Sequence, residues 1–210
     1  MKNLIIIGAG SYGREIYNLA LECRGYGTEY SIKGFIDNLY DKVGYDNYPP
    51  ILSKVEEYRP EKNDVFVSAL MDVDIKKKYV EIILSKGGVF ISLIHHSASI
   101  WQNTILGSGC IICDNVHISC DVQIGNFVTI QTMSIVGHDC IIGDYSHLNC
   151  FSFLGGRCQI GELSTINTGA IIHPGKKAGK HTLIGAGAVV LRNVKDGKSM
   201  FGNPAEYIEF

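Results

Sequence analysis

His138 follows Gly137 directly and is followed by Asp139, and His147 lies nine residues further on. A neutral imidazole working near its own pKa is the usual base for taking a proton from an amine or hydroxyl. A carboxylate beside the ring orients it and raises its basicity. His138 and Asp139 therefore read as a base and its support. Direct attack by an acceptor on a bound thioester needs only such a base and a donor for the oxyanion, a task suited to backbone amides near Gly155 and Gly156. The same histidines also fit exposed turns, and spacing alone leaves both readings open.

A second chemical signal stands at the start of the chain. Residues 3–7 form an apolar run followed by Gly8-Ala9-Gly10-Ser11-Tyr12-Gly13 and an amphipathic stretch through Cys23. Strand, glycine turn and helix in that order aim backbone amides at a phosphate. Lys33 to Asp37 reads as a second strand ending in an acid, which in a dinucleotide site would meet a ribose. No domain for hydride transfer follows, so a phosphate or nucleotide site is expected rather than NAD; a purely structural turn is the other reading.

Nucleophilic and metal chemistry fare worse. The seven cysteines include Cys110-x-x-Cys113, but no second pair completes a zinc set. Cys110, Cys140 and Cys158 take positions filled elsewhere by Ser, Thr or Ala, so packing thiols in a reducing cytoplasm are expected. No two histidines sit five apart, the spacing that zinc-binding coils of gamma-class carbonic anhydrases use, and no metal is expected. Formal charge of −2 and a pI near 6.4 give no reason to expect nucleic acid or an anionic membrane as partner. No stretch approaches eighteen apolar residues, and the opening Met1-Lys2-Asn3 runs into a strand rather than a signal peptide. From residue 175 onward Lys176, Lys177, Lys180, Arg192, Lys195 and Lys198 face three acids, which suits a polyphosphate such as coenzyme A or simply a solvated surface.

These residues are positioned by a repeat. From Ile100 to Val190 every sixth residue is Ile, Leu or Val, with Ala178 the one exception. Gly follows eight of these pillars, and a compact residue stands two before nearly all of them. A period of six suits a solenoid with three flat faces and eighteen residues per coil, its coils about 4.8 Å apart. Ninety residues give about five coils, with glycine expected to permit the corner backbone. Nine residues is half a coil, so His138 and His147 fall on different faces. They can share a site only if a second copy contributes one of them, as in a trimer of prisms.

Ahead of the repeat, a Tyr-rich loop over 38–50 closes on Pro49-Pro50, a short helix is expected over 52–58, and Asp64 to Ala69 is a third strand. Asp72 caps a helix to about Ser85, Gly87-Gly88 ends it, and Val89 to Ile94 is a fourth strand. Alternating strands and helices imply a small parallel sheet. The expected fold is an α/β, Rossmann-like N-terminal domain over 1–94 and a β-helix over 95–210, rigidly joined through His95-His96-Ser97. The tail holds a turn at Gly202-Asn203-Pro204-Ala205 and a last strand over 207–210.

Over essentially its full length the chain resembles the sugar O- and N-acetyltransferases related to sialic acid O-acetyltransferase and the bacillosamine and perosamine N-acetyltransferases. The marks are Gly8 to Gly13, Gly34-Phe35-Ile36-Asp37, Leu93 to Ala98, Gly137 to His147, and Gly202-Asn203-Pro204-Ala205. The resemblance implies a left-handed parallel β-helix, a homotrimer, and acetyl-CoA lying along the groove between adjacent coils. It implies His138 as catalytic base, Asp139 as its supporting acid, His147 at the thioester end, and Gly156, Thr168 and Ala186 along the cofactor. Ser11, Tyr12, Gly13, Asp37 and Asn38 fall where relatives hold a nucleotide-sugar. Three departures bear on the acceptor: Gln131 replaces an Asn seven residues before the base, Ala69-Leu70-Met71 replaces a Gly-Asn, and Lys76 or Lys77 replaces an Arg.

The function expected is acetyl transfer from acetyl-CoA to the amino group of a nucleotide-linked sugar in bacterial surface-glycan synthesis. The rivals are O-acetylation of a sugar such as sialic acid, and a non-catalytic nucleotide-sugar-binding trimeric scaffold.

Overall fold

The computed structural model describes residues 1–38 and 47–208 and divides into two compact units, Met1–His96 and Ser97–Phe210. Most of the expected Tyr-rich loop lies outside the described residues.

The first unit holds β1 (Lys2–Ile7), α1 (Ser11–Glu22), β2 (Tyr30–Ile36), β3 (Ile51–Ser53), β4 (Asp64–Ser68), α2 (Val73–Ser85), β5 (Val89–Phe90) and β6 (Leu93–Ile94). Its five-stranded sheet has the order β3-β2-β1-β4-β5, and every pair is parallel. Leu4 to Ile7 and Val65 to Val67 are buried, as a strand covered on both faces requires. The chain leaves β1 in both directions, so the carboxyl ends of β1 and β4 form the edge where α/β sheets hold their ligands.

Two expectations fail here. The helix expected over 52–58 is β3 followed by a turn. Pro49-Pro50 delivers the chain extended, the Phe35 amide donates to Pro50 O, and Ile51 pairs with Phe35. The expected fourth strand splits: β5 stays in the sheet, whereas Leu93–Ile94 lies outside it. The α2 cap does form, Asp72 Oδ1 accepting from the Asp74 and Ile75 amides at 3.0 and 2.9 Å.

In the second unit the repeat becomes three flat faces. The first carries strands Ser99–Ile100, His117–Ile118, Ile135–Val136, Phe153–Leu154, Ile171–Ile172 and Val189–Val190. The second carries Ile105–Leu106, Gln123–Ile124, Ile141–Ile142, Gln159–Ile160 and Lys177–Ala178. The third includes Ile111–Ile112, Thr129–Ile130, His147–Leu148, Thr165–Ile166 and Leu183–Ile184. All pair in parallel, in registers of eighteen residues. Pillars from Ile112 to Val190 are buried. Each large one contributes about 1.5–3 kcal/mol by leaving water.

Where the compact position before a pillar is polar, it is so for a reason. Ser134, Ser146 and Ser164 donate to the carbonyls of Asn149, Gly161 and Gly179, fifteen residues on, at 2.8 to 2.9 Å. Cys110, Cys140 and Cys158 do the same with thiols toward Gly125, Gly155 and His173. These side chains satisfy corner carbonyls that the strand ladder leaves over.

The glycines past the pillars have a different task from the one expected. The left-handed corner backbone falls three residues after a pillar, mostly on non-glycine residues such as Asp139 (φ 57°), Phe151 (φ 60°) and Arg157 (φ 62°). Gly137 is there because of crowding: a Cβ on it would stand 2.6 Å from Gly156 N in the next coil.

The repeat fades from the sequence after Val190, but the wall continues. Met200 is buried beside Ile184, and Ser199–Phe201 runs parallel to Leu183–Ile184. The tail returns antiparallel as Glu206–Ile208, where a strand over 207–210 is expected; residues 209–210 lie outside the described range.

Candidate active site

Val136 ends a first-face strand, and the corner Gly137-His138-Asp139-Cys140 carries the chain to the second face. Both His138 and Asp139 are about half exposed. His138 Nδ1 lies 2.6 Å from Asp139 Oδ2. A carboxylate accepts, so in the neutral ring this contact puts the hydrogen on Nδ1 and leaves the lone pair on Nε2. The left-handed backbone at Asp139 turns its side chain back onto the ring, a conformation Asp tolerates better than most residues.

The imidazole lies over the next coil at Gly156. A Cβ there would stand 2.5 Å from His138 Nε2 and 2.7 Å from Cε1. Gly156 is thus a floor for the base, a role the sequence does not reveal. The Arg157 amide donates to His138 O at 2.7 Å and fixes the corner from below. Gly155, expected as an oxyanion donor, gives its N–H to Ile172 O at 2.9 Å and so is already committed within the coil stack.

His147 sits elsewhere. It lies on the third face and is wholly buried, whereas His138 is open. Thr168 and Ala186 are exposed, one coil apart, on the corner between third and first faces. Gln131 is on the same corner row, and its Oε1 accepts from the Cys150 amide and thiol at 3.2 and 3.3 Å. Within one chain, then, His138, Asp139 and Gly156 share one corner, while Gln131, Thr168 and Ala186 share another. The first face lies between them and exposes Met133, Ile135, Phe151, Phe153 and Ile171.

Cys140 is no nucleophile. It is buried, and the neighbouring Cys158 sulfur, followed by burial itself, pushes its thiol well above the ordinary range. Of the basic residues near the end, Lys180 is paired with Glu162 at 2.9 Å and Arg192 with Glu206.

In the first unit, Gly8 turns at φ 102°, where a Cβ would meet Ala69 O at 2.8 Å. Gly13 lets α1 lie against Gly8 O. Gly10, the N-cap of α1, has open space around it, and Ser11 is exposed beside it. Tyr12 is half-buried on the same first turn. Asp37 Oδ2 accepts the Ala9 amide at 2.6 Å and so braces the glycine turn. Asn38 is committed locally: it accepts from Val55 N and donates to Glu56 Oε2 and Tyr79 OH. Ser68, at the carboxyl end of β4, was not singled out from sequence. Its Oγ is buried without a hydrogen-bond partner, and only the folded sheet brings it to this edge.

Residues 3–83 match the PglD N-terminal domain. The chain is 32% identical over 140 residues to GDP-perosamine N-acetyltransferase of Escherichia coli O157:H7, a match spanning 64% of this chain and 62% of that enzyme's length. The acetyltransferase domain of PglB from Neisseria gonorrhoeae FA1090, solved with acetyl coenzyme A, superposes with a TM-score of 0.89 at 26% identity, covering 99% of each chain. PerB of Caulobacter crescentus, solved with CoA and GDP-perosamine, gives 0.89 at 26%, covering 100% of this chain and 98% of that one.

Fold and site together define the class: a left-handed hexapeptide-repeat β-helix preceded by a small parallel-sheet domain. Within that class the chain is similar to sugar acetyltransferases, and residues 3–83 match the PglD N-terminal domain. No described helix is long and apolar enough to cross a membrane.

Proposed function

We propose that this protein transfers the acetyl group of acetyl-CoA to the amino group of a nucleotide-linked sugar, a building block for a bacterial surface glycan. The observation that carries the reading is the His138 corner: Nδ1–H held by Asp139, and Nε2 presented over Gly156. The acceptor nitrogen attacks the thioester carbonyl, and its proton passes to Nε2 as the C–N bond forms. The Gly156 amide is the donor to the oxyanion. Collapse breaks the C–S bond, and the imidazolium returns the proton to the departing thiolate.

Acetyl-CoA is assigned to the corner of Thr168 and Ala186; His147, expected at its thioester end, is wholly buried on the third face and is left out of that assignment. That corner and the His138 corner flank an exposed apolar face, and five large apolar side chains on neighbouring coils are more than a lone prism needs. Packing first faces together about a threefold axis sets the His138 corner of one copy beside the Thr168 corner of the next. A homotrimer is therefore the working unit, and the apolar face is its contact. The nucleotide is assigned to the glycine turn after β1, with Ser11, Tyr12 and Gly13 toward its phosphates and Asp37 and Asn38 shaping the edge. Gln131, tied to Cys150, contacts the acceptor. The cytoplasm supplies acetyl-CoA and the nucleotide-sugar.

The test is thiol release from acetyl-CoA with GDP-perosamine and UDP- and dTDP-linked amino sugars, against hydroxyl sugars such as sialic acid. Release with an amino sugar that is lost in His138→Ala supports the reading. Release with hydroxyl sugars alone moves the chain to O-acetylation. Binding of a nucleotide-sugar with no release from any acceptor leaves a scaffold.

A further inference from the structure

The first unit carries a side-chain cluster that the transferase chemistry does not use. Glu22 closes α1, and the chain beyond it runs antiparallel to residues 94–96. Cys23 and His95 form a bridge, and the Arg24 amide donates to Ile94 O at 2.9 Å. The His96 amide reaches Glu22 O at 3.4 Å. This pairing stacks the two imidazoles, centroids 4.2 Å apart and planes 34° from parallel, against the Glu22 side chain.

We propose that Glu22, His95 and His96 form a three-ligand site for a divalent transition metal of the zinc class. His95 Nε2 lies 3.2 Å from Glu22 Oε2, a contact in which the ring N–H donates to the carboxylate; an ion taking its place displaces that hydrogen and leaves the ring's other nitrogen protonated. Two ligands on a tetrahedral ion with bonds of about 2.0–2.2 Å stand roughly 3.4 Å apart, so this pair is already at ligand separation. One ligand atom from each of the three residues lies within 4.8 Å of the other two.

The hydrogen bonding around the cluster favours a metal. His96 Nδ1 is 3.0 Å from the Glu22 carbonyl oxygen. A carbonyl only accepts, so Nδ1 carries the hydrogen and Nε2 keeps the lone pair, the outer-shell arrangement of metal-binding histidines. His95 is almost wholly buried and anchors the site; Glu22 and His96 are exposed and leave the ion's remaining positions to water. Two imidazoles and one carboxylate suit Zn²⁺, Co²⁺, Ni²⁺ or Cu²⁺, whereas Mg²⁺ and Ca²⁺ want oxygen alone. An ion here would tie the end of α1 to residues 95–96 and stabilise the folded unit by mass action.

The full chain, stripped with chelator, is titrated with Co²⁺ and followed by its visible ligand-field band, then with Zn²⁺ by calorimetry. The expected result is one ion per chain and a melting temperature that rises with Zn²⁺. His96→Ala and Glu22→Gln, both at exposed positions, each weaken binding by about tenfold or more. His181→Ala, an exposed histidine on the β-helix, leaves it unchanged. No uptake by the wild type overturns the proposal, as does equal affinity in both variants shown folded by circular dichroism. The readout is metal binding, so failure here leaves the transferase reading untouched.

Discussion

The two units place their candidate ligand residues by opposite means. In the α/β unit the residues of the candidate nucleotide site gather at one edge, in the turn after β1 and the ends of β2 and β4. In the β-helix every coil resembles the next, and what is distinctive is scattered as single departures from the repeat, such as His138 on a corner row that otherwise carries Gln102, Cys120, Gly156, Pro174 and Arg192. A sheet edge concentrates a site; a solenoid must assemble one from corners. The first can serve a ligand from one chain, and in the proposed trimer the second would draw on a neighbour's corner.

The largest expected effect breaks the solenoid half of that contrast. His138→Ala should lower kcat by about 10²–10⁴ with the melting curve unchanged, because the side chain is half exposed. A charge on the apolar face, Phe153→Glu, should yield a chain-sized species on a sizing column with light scattering and nearly abolish thiol release. An active monomer would return the whole site to a single chain. Leu154→Ala, deep in the wall, should cost about 2–5 kcal/mol in urea unfolding.

A smaller effect comes from the α/β unit. Burial pushes the Asp64 carboxyl up, but Tyr58 OH at 2.7 Å, the Glu61 amide and Lys33 outweigh it and hold it below the ordinary carboxylate range. A depressed folded value stabilises the protein above the usual Asp pKa, and that contribution disappears as pH falls through the folded value. Acid titration of stability should therefore lose its low-pH step in Asp64→Asn, whose stability at pH 7 is also reduced. The smallest effect sharpens the comparison through paired glycines. Gly156→Ala should displace the imidazole and lower kcat about tenfold or more, whereas Gly10→Ala, with open space around it within the chain, should leave stability near wild type and act, through the nucleotide site, on KM rather than kcat.

How much was legible follows the same division. The six-residue period announces the β-helix because a column of inward side chains repeats in register with the chain. The period also locates the Ser and Cys positions, but not the carbonyls they satisfy, since those partners lie fifteen residues away. Gly156 as a floor under His138 was hidden for that reason: contact between coils is regular in space and silent in composition. Val190 marks where the pattern ends and not where the wall ends, because Val194 and Met200 continue it with sixteen residues between partners instead of eighteen. In the α/β unit, β3 was mistaken for a helix because three residues are too few to show a period, and Pro49-Pro50 settled the matter. Ser68 reaches its edge only through the pairing of β4 with β1, which local sequence does not state.

The tight stacking at Gly137 has a consequence for how such a molecule can change length. A residue inserted into one coil would rotate every later side chain by one place, sending wall positions to water and driving a Cβ into the coil below. Tolerated change comes in whole eighteen-residue layers, or in the tail beyond Val190 where the count is already relaxed. The architecture behaves as a stack of fixed-size tiles, and its reactive corner can be moved up or down the stack but not sideways.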